Sequence, residues 1–160
     1  MDNNNYKSAG VDLGFSDKLT EKILKIVNNN SKPNDLGFFS ASTSISENIT
    51  VSSSVDGVGT KSRIFKYCGD YFNLGHDIVN HCVNDILPSG AKPLIFLDYL
   101  AFSEIDEKHI LRVVEGISDA CSRVGCSLAG GETAQMGDIY KPGDLEVVGF
   151  ILGLVEENKK

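Results

Sequence analysis

The chain has 160 residues, of which 41% are hydrophobic and 23% charged, and it carries a formal net charge of −7 at pH 7. This composition is typical of one globular domain with a substantial core, and no segment is long and apolar enough to span a bilayer. The acidic balance disfavours nucleic acids and anionic membranes as partners. The polar amino terminus lacks the layout of a signal peptide, so the expected location is cytoplasmic.

The apolar periodicity predicts a polar arm followed by a domain in which helices and strands mix. The arm covers residues 1–15, and the domain covers residues 16–160. The first helix is expected to begin at Ser16 or Asp17, which can cap it, and to end at the asparagine run 28–30. The other helices are expected at 60–68, at 71–87 and from a cap at Asp106 to a stop at Gly125, and the strands near 38–39 and at 49–55, 92–99, 126–129 and 145–156.

The stretch directly after the strand at 49–55 combines a carboxylate, two glycines, a hydroxyl and an ammonium. These are Asp56, Gly57, Gly59, Thr60 and Lys61. Glycine lets the backbone approach a ligand closely, the carboxylate suits a cation, and backbone amides with a lysine suit phosphate oxygens. The spacing is not that of a Walker A loop. The pattern indicates a metal-bound phosphate, and an ordinary turn is the alternative.

The helix at 71–87 carries a polar stripe. Asp77, His81 and Asp85 are spaced i, i+4 and i+8, and Asn84 immediately precedes Asp85. One interpretation is a solvated helix face, because such stripes are common. The other is that a carboxylate and an amide of this face meet the ligand of the Asp56 loop.

Two further carboxylates are predicted at strand ends. Asp98 ends the apolar strand at 92–99, and Glu132 follows a glycine pair after the strand at 126–129. Burying an unpaired carboxylate is costly, so such a group should lie at a rim or bind something. Together with Lys61 and the two glycine loops, these acidic groups favour a metal–nucleotide site over a glycosidase-like acid/base pair. The sequence offers no Ser-His-Asp or Cys-His arrangement.

Several motifs, in this order and spacing, closely resemble those of aminoimidazole ribonucleotide synthetase, the phosphoribosylformylglycinamidine cyclo-ligase family of purine biosynthesis. The segments are YKSAGVD at 6–12, DGVGTK at 56–61, CVND at 82–85, LDY at 97–99 and GGETAQM at 130–136. The resemblance implies an α/β (mixed α+β) amino-terminal domain with a mixed sheet flanked by helices. It also implies a homodimer in which the sheets of two subunits form a closed barrel. The apolar run of the final strand, from Val147 to Val155, likewise predicts cover by a partner subunit.

The family reaction is an ATP-dependent ligation, with ATP and Mg²⁺ as the implied cofactors and formylglycinamidine ribonucleotide as the implied substrate. The ATP γ-phosphate activates the formyl amide oxygen, and an internal nitrogen then displaces phosphate and closes the imidazole ring. Catalysis of this kind depends mainly on positioning and charge stabilisation.

The resemblance assigns roles residue by residue. Asp56 and Asp85 are the implied metal ligands. Lys61, Asp98 and Glu132 are the implied catalytic residues. His81 is left out because it does not belong to the family pattern. The implied nucleotide-binding residues are Gly57, Gly59, Thr60 and Lys61 at the phosphates, Lys7 and Asp12 in an arm over the nucleotide, and Asn84, Gly131 and Glu132, together with the two metal ligands. Asp98 is implied to line the same cleft as Asn84 and Glu132.

The family's second domain would begin where this chain ends, so we expect that the carboxy-terminal domain is absent from this chain and that turnover needs it. Two alternatives stay open. One is another ATP-dependent enzyme of the same superfamily, such as the glutamine-dependent amidotransferase, selenide water dikinase or thiamine-monophosphate kinase. The selenium enzyme needs a reactive residue in its arm, and the first cysteine here is Cys68. The other is a non-catalytic dimer scaffold.

Overall fold

The computed structural model describes residues 10–30, 35–36 and 39–155. By backbone contacts the chain divides into two units, Met1–Asn34 and Asp35–Lys160. The first unit contributes one described helix, α1 (Leu13–Asn30). None of the helices in the described ranges has the length and hydropathy of a membrane-spanning segment.

Helix α1 is longer than the sequence predicts at both ends. The Asp12 carboxylate accepts a hydrogen bond from the backbone N–H of Phe15 at 3.1 Å. This contact caps the helix at Asp12, four residues before Ser16, so the prediction of a cap at Ser16 or Asp17 is wrong. The asparagine run at 28–30 forms the last turn of α1 instead of ending it.

The second unit is a six-stranded mixed sheet with helices packed on one face. Its strands are β1 (Asp35–Leu36), β2 (Ala41–Ser46), β3 (Ile49–Gly57), β4 (Ala91–Phe102), β5 (Ser127–Gln135) and β6 (Leu145–Val155). Its helices are α2 (Ser62–Cys68), α3 (Tyr71–Ile86) and α4 (Glu107–Val124), and 3-10 turns cover Gly59–Lys61 and Leu87–Ser89. The strand order is β1-β2-β3-β6-β4-β5, with β4 and β5 parallel and the other neighbours antiparallel. The predicted fold class, a mixed sheet flanked by helices, is therefore confirmed.

Strands β4 and β5 extend beyond their predicted ends. Residues 97–102 of β4 pair with residues 130–135 of β5, so Asp98 and Glu132 lie inside strands and not after them. Ladder hydrogen bonds along this pair outweigh the weak strand preference of the two glycines. The strand predicted near 38–39 is displaced, because Phe39 lies in a bend between β1 and β2, whereas Phe38 lies outside the described residues.

The predicted limits of α4 are confirmed. The Asp106 carboxylate accepts a hydrogen bond from the backbone N–H of Lys108 at 3.0 Å, which caps the helix. Gly125 follows the last residue with φ 69°, a left-handed conformation that glycine adopts without strain.

Helices α3 and α4 cross at two glycines. Gly75 of α3 and Gly116 of α4 are both buried, and a Cβ on either would collide with the backbone of the other helix. The close approach lets Ile78 and Ile117 pack fully into the core above the sheet, together with Phe96 of β4. The crossing therefore fixes where α3 lies over β3 and β6.

Strand β6 presents two different faces. Val147, Ile151 and Val155 are buried in the core on the helix-covered side, as the alternation of a strand requires. Val148, Phe150 and Leu152 lie on the opposite side and are only half-buried, and Leu154 is exposed. The neighbouring strand β3 adds Val55, which is also exposed, to this second face. We call this opposite side the apolar sheet face.

Candidate functional site

Strand β3 delivers Asp56 to the helix-covered side of the sheet. Ser54 and Asp56 alternate with outward-facing Val55, and Asp56 pairs with Gly149 of the central strand β6. Gly149 is required at this position, because a Cβ there would lie 2.9 Å from the Cys82 sulfur and would also strike the Phe96 ring. The absence of a side chain on Gly149 lets α3 lie directly over the end of β3.

Three polar contacts join β3 and its following loop to one side of α3. Ser54 Oγ donates a hydrogen bond to Asp85 Oδ2 at 2.7 Å. His81 Nε2 lies 3.0 Å from Asp56 Oδ2. Farther along, Lys61 Nζ forms an ion pair with Asp77 Oδ2 at 2.7 Å. These six residues form the polar seam.

The polar seam argues against a separate solvated face on α3, and the interpretation that this face meets a ligand stays a prediction. Asp77, His81 and Asp85 contact β3 and the glycine loop instead of forming an independent solvated face. Their order along α3 is the reverse of the order of their partners, so the helix runs antiparallel to β3. The i, i+4, i+8 spacing was the sequence signal for this arrangement.

A cluster of three metal-ligating side chains lies at the centre of the polar seam. Asp56, His81 and Asp85 each offer one ligand atom, and these atoms lie within 4.8 Å of one another. All three residues are half-buried, and Asp56 Oδ1 also accepts a hydrogen bond from the Gly57 backbone N–H at 2.6 Å. Two carboxylates and an imidazole fit a divalent cation. The structure thus brings His81, which the sequence prediction leaves out of the site, beside the two predicted metal ligands.

The glycine loop continues from this cluster into a cavity. The Val58 N–H donates a hydrogen bond to the Val147 carbonyl at 2.9 Å, which ties the loop to β6. Gly59 follows with φ 64°, a conformation that disfavours any other residue. Gly59 and Thr60 line one part of a cavity of about 450 Å³ that lies beside the loop.

The cavity is rich in cations that sequence reasoning missed. Its lining includes Arg63 and Lys66 of α2 and Lys141 of the loop before β6, against the two carboxylates of Asp144 and Glu146. Lys66 Nζ lies 3.7 Å from Asp144 Oδ1, so one of the three charges is partly balanced. The i, i+3 spacing of Arg63 and Lys66 places them on one side of α2, and this was the available sequence signal. The charges make the cavity suitable for an anion such as phosphate.

Asp98 lies in the same row of the sheet as Asp56. Both residues pair with Gly149, from opposite sides of β6, so their backbones are about 10 Å apart. The Asp98 carboxylate lies over Gly131 of β5, where a Cβ would collide with it. Burial raises the pKa of the Asp98 carboxyl above its ordinary value of 3.8, opposed by a weaker backbone hydrogen bond. Asp98 thus shares the helix-covered face with the cluster but does not belong to it.

The other described residues of the predicted site lie in β5, in α3 and at the start of α1. Glu132 pairs with Tyr99, one position beyond Asp98, and therefore lies on the other face of the sheet. Asn84 is exposed on α3. Asp12 caps α1 in the first unit, and Lys7 lies outside the described residues. Strand alternation thus places Asp98 and Glu132 on opposite faces of the sheet, and the cleft shared by Asn84, Asp98 and Glu132 stays a prediction.

Asp98→Asn should stabilise the domain, and increasingly so as the pH rises. Because the folded-state pKa is raised, folded Asp98 binds its proton more tightly than unfolded Asp98, and stability is lost as the pH rises from 3.8 through the folded pKa. The side-chain amide of asparagine does not ionise, so the variant does not lose stability in this way as the pH rises. We expect the melting temperature to rise by about 1–3 °C at pH 7.5 and by less at pH 4.5, measured by circular dichroism. Asp138→Asn, in an exposed loop, is the control, and a pH-independent gain for Asp98→Asn would contradict the assignment.

A comparison with protein families matches residues 38–155 to the family described as AIR synthase related protein, N-terminal domain. The match covers most of the chain and almost the whole second unit. The chain belongs to this AIR synthase family. Within the AIR synthase domain, the polar seam and the cavity both lie in the matched region.

Curated relatives of this AIR synthase domain are longer proteins. It is 40% identical to the phosphoribosylformylglycinamidine cyclo-ligase of Xanthomonas oryzae pv. oryzae over 96% of this chain and 47% of that protein. It is also 40% identical to the human trifunctional purine biosynthetic protein adenosine-3, over 97% of this chain and 16% of that protein. The chain thus spans half or less of the length of these relatives.

Solved structures confirm the fold of the AIR synthase domain. The structure described as AaThiL complexed with AMPPCP and TMP aligns with a TM-score of 0.68 and 18% identity, over 86% of this chain and 41% of that chain. The structure of T. maritima PurL complexed with ADP aligns with a TM-score of 0.65 and 21% identity, over 84% of this chain and 21% of that chain. At this identity the likeness concerns the fold alone.

Proposed function

We propose that this chain is the ATP- and Mg²⁺-binding half of a cytoplasmic phosphoribosylformylglycinamidine cyclo-ligase of purine biosynthesis. The observation that carries the proposal is the cluster of Asp56, His81 and Asp85 directly beside the glycine loop. A cation site next to a glycine loop and a cavity with several cations is what a nucleoside triphosphate requires. The 40% identity to the cyclo-ligase relative then favours this reaction within the family.

Each part of the site has a role in the proposal. Asp56 and Asp85 would hold Mg²⁺, which would neutralise phosphate charge in the transfer of the ATP γ-phosphate. Gly57, Gly59 and Thr60 would offer backbone and hydroxyl donors to the phosphate oxygens. Lys61 would supply a positive charge while Asp77, at 2.7 Å, keeps its ammonium beside the loop.

Two of the proposed catalytic residues differ in their surroundings. Asp98 is half-buried with a raised pKa, a state typical of carboxyls at functional sites. Glu132 is exposed, and its carboxylate accepts a hydrogen bond from the Thr133 backbone N–H at 2.8 Å. Gly131 and Glu132 lie on opposite faces of β5, which ends the strand order, so the proposed cleft would reach around this edge strand to include both.

The proposal includes a homodimer and a carboxy-terminal domain of the kind for which the longer relatives have room. The apolar sheet face carries Val55 at 66% exposure and Leu154 at 40%, beside half-buried Phe150. Pairing this face with that of a second copy would bury it and close a barrel, as the family resemblance implies. The lengths of the relatives support a further domain that completes the cleft.

A superfamily relative with a different substrate is the second candidate. The fold likeness to AaThiL and to T. maritima PurL favours it, but both are below 25% identity. A non-catalytic scaffold is the third. Calorimetric titration of ATP with and without Mg²⁺ tests the nucleotide site, and magnesium-dependent binding is expected. Complementation of a purine auxotroph by this chain joined to a family carboxy-terminal half separates the cyclo-ligase from both alternatives.

Phe150→Lys should convert a dimer into a monomer. A charge in the middle of the apolar sheet face would be buried without a partner in the proposed interface. Light scattering at micromolar concentration should give a dimer for the parent chain and a monomer for the variant, with unchanged circular dichroism. Leu111→Lys on α4, also an exposed apolar residue, is the control and should stay dimeric. A monomeric parent chain would refute this part of the proposal.

A further inference from the structure

His81 lies at the proposed cation site, although it does not belong to the family pattern. We infer that His81 is a third protein ligand of this site, and that its nitrogen shifts the preference of the site from Mg²⁺ towards first-row transition ions such as Mn²⁺ and Co²⁺. This inference rests on the proposed cation site and deepens it. It concerns which ion the site prefers, because two carboxylates without a nitrogen ligand would not produce this shift towards transition ions.

The distances suit coordination by one ion. Divalent ions of this size lie about 2.0–2.2 Å from their ligands, so two neighbouring ligand atoms of one ion are about 3 Å apart. His81 Nε2 and Asp56 Oδ2 are 3.0 Å apart. The ligand atom of Asp85 lies within 4.8 Å of both, so side-chain adjustments alone would complete the set.

The charges around His81 also favour a bound cation. The cluster combines one imidazole with two carboxylates, and the contact that holds Asp85 is a neutral hydroxyl, Ser54. Lys61, a cation of the polar seam, is paired with Asp77. A site with two negative charges around a half-buried imidazole is best satisfied by a bound cation.

A second histidine–carboxylate pair on the same helix provides the contrast. His76 Nε2 lies 2.8 Å from Asp119 Oδ2, but the same oxygen also accepts a hydrogen bond from Arg123 Nε at 2.7 Å. That carboxylate already has a cation, and His76 therefore acts in a structural ion-pair network. His81 and His76 are thus a natural test residue and its matched control.

Ligand chemistry gives the selectivity. Mg²⁺ favours oxygen ligands and water, whereas imidazole nitrogen suits the later first-row ions. Transition ions bind most sites more tightly than Mg²⁺. The test is therefore how much the ratio of Co²⁺ affinity to Mg²⁺ affinity falls when His81 is replaced. We expect His81→Gln to lower Co²⁺ affinity about tenfold or more while changing Mg²⁺ affinity less than about twofold.

The test is pulsed electron paramagnetic resonance of Mn²⁺ bound to the full chain without nucleotide, at less than one ion per chain. We expect a directly coupled ¹⁴N signal in the parent chain and in His76→Gln, and its loss in His81→Gln. Calorimetry of Co²⁺ and Mg²⁺ on the same three proteins gives the affinities. Because His81 is half-buried, we expect His81→Gln to fold, and the signal of the parent chain is informative without the variant.

The outcomes separate the inference from the proposed function. Mn²⁺ that binds without ¹⁴N coupling, or an equal loss of Co²⁺ and Mg²⁺ affinity in His81→Gln, would overturn the ligand role; the cation site itself would stand. An unchanged Co²⁺ affinity in His81→Gln would overturn it as well. Failure of the parent chain to bind any divalent ion, with or without ATP, would overturn the proposed function together with the inference.

Discussion

Asp56→Asn should weaken the binding of Mg²⁺ and ATP by about 100-fold, since even the outer partners of a metal site contribute about 10–100-fold. The amide keeps the size of the side chain but removes the charge at the centre of the cation cluster. The fold should survive, because the Asp56 side chain is 45% exposed and contributes little to the core. Calorimetric titration of Mg²⁺–ATP into the parent chain and the variant measures the effect.

The control for Asp56→Asn is Asp119→Asn. Asp119 is also a carboxylate in contact with a histidine of α3, but it lies in the ion-pair network of His76 and Arg123. Its loss should leave nucleotide affinity within about twofold, because this network joins α3 to α4 and includes none of the cluster or loop residues. Equal nucleotide affinity in Asp56→Asn and the parent chain would refute the assignment of Asp56 as a metal ligand.

Gly116→Ala should destabilise the domain by more than about 3 kcal/mol, which is a large share of a typical domain's stability. The added Cβ would collide with the backbone of Phe72, and backbone atoms cannot turn away as a side chain can. Helices α3 and α4 would separate, and α3 carries half of the polar seam. We therefore expect the melting temperature to fall by about 10 °C, and nucleotide binding to weaken as a consequence.

The sign of the Gly116→Ala effect makes the test sharp. Alanine normally stabilises a helix interior relative to glycine by about 1 kcal/mol, so any loss comes from the crossing. Ser118→Ala, on the exposed side of the same helix, is the control and should change stability by less than about 0.5 kcal/mol. A melting temperature of Gly116→Ala at or above that of the parent chain would contradict the close crossing.

Local sequence signals predicted the elements that depend on near neighbours. The cap of α4 at Asp106 and its stop at Gly125 are properties of a few consecutive residues, and both are confirmed. The cap of α1 was misassigned because Asp12, Ser16 and Asp17 all have suitable side chains, and residue type does not choose between them. Strand ends were also misjudged: glycine-rich segments form strands where a neighbouring strand supplies the hydrogen bonds.

The candidate site shows the same difference between features set by near neighbours and features set by distant contacts. The residues of the glycine loop and the carboxylates Asp56 and Asp85 could be named from the sequence, because their types and spacing carry the chemistry. The spacing on α3 singled out His81, but its contact with Asp56 could not be predicted, because it joins positions 25 residues apart and depends on how α3 lies over β3. The cationic cavity likewise combines α2 with the loop before β6.

The sequence by itself thus determined the alternation of helices and strands, the glycine loops, the acidic residues and the family they indicate, since these follow from local preferences and ordered motifs. The tertiary structure alone decided which side chains meet. Strand register set Asp56 and Asp98 in one row on either side of Gly149 and turned Glu132 to the other face. The Gly75–Gly116 crossing set the position of α3 and thereby brought His81 to Asp56. Both depend on contacts between segments far apart in the chain, which no local pattern encodes.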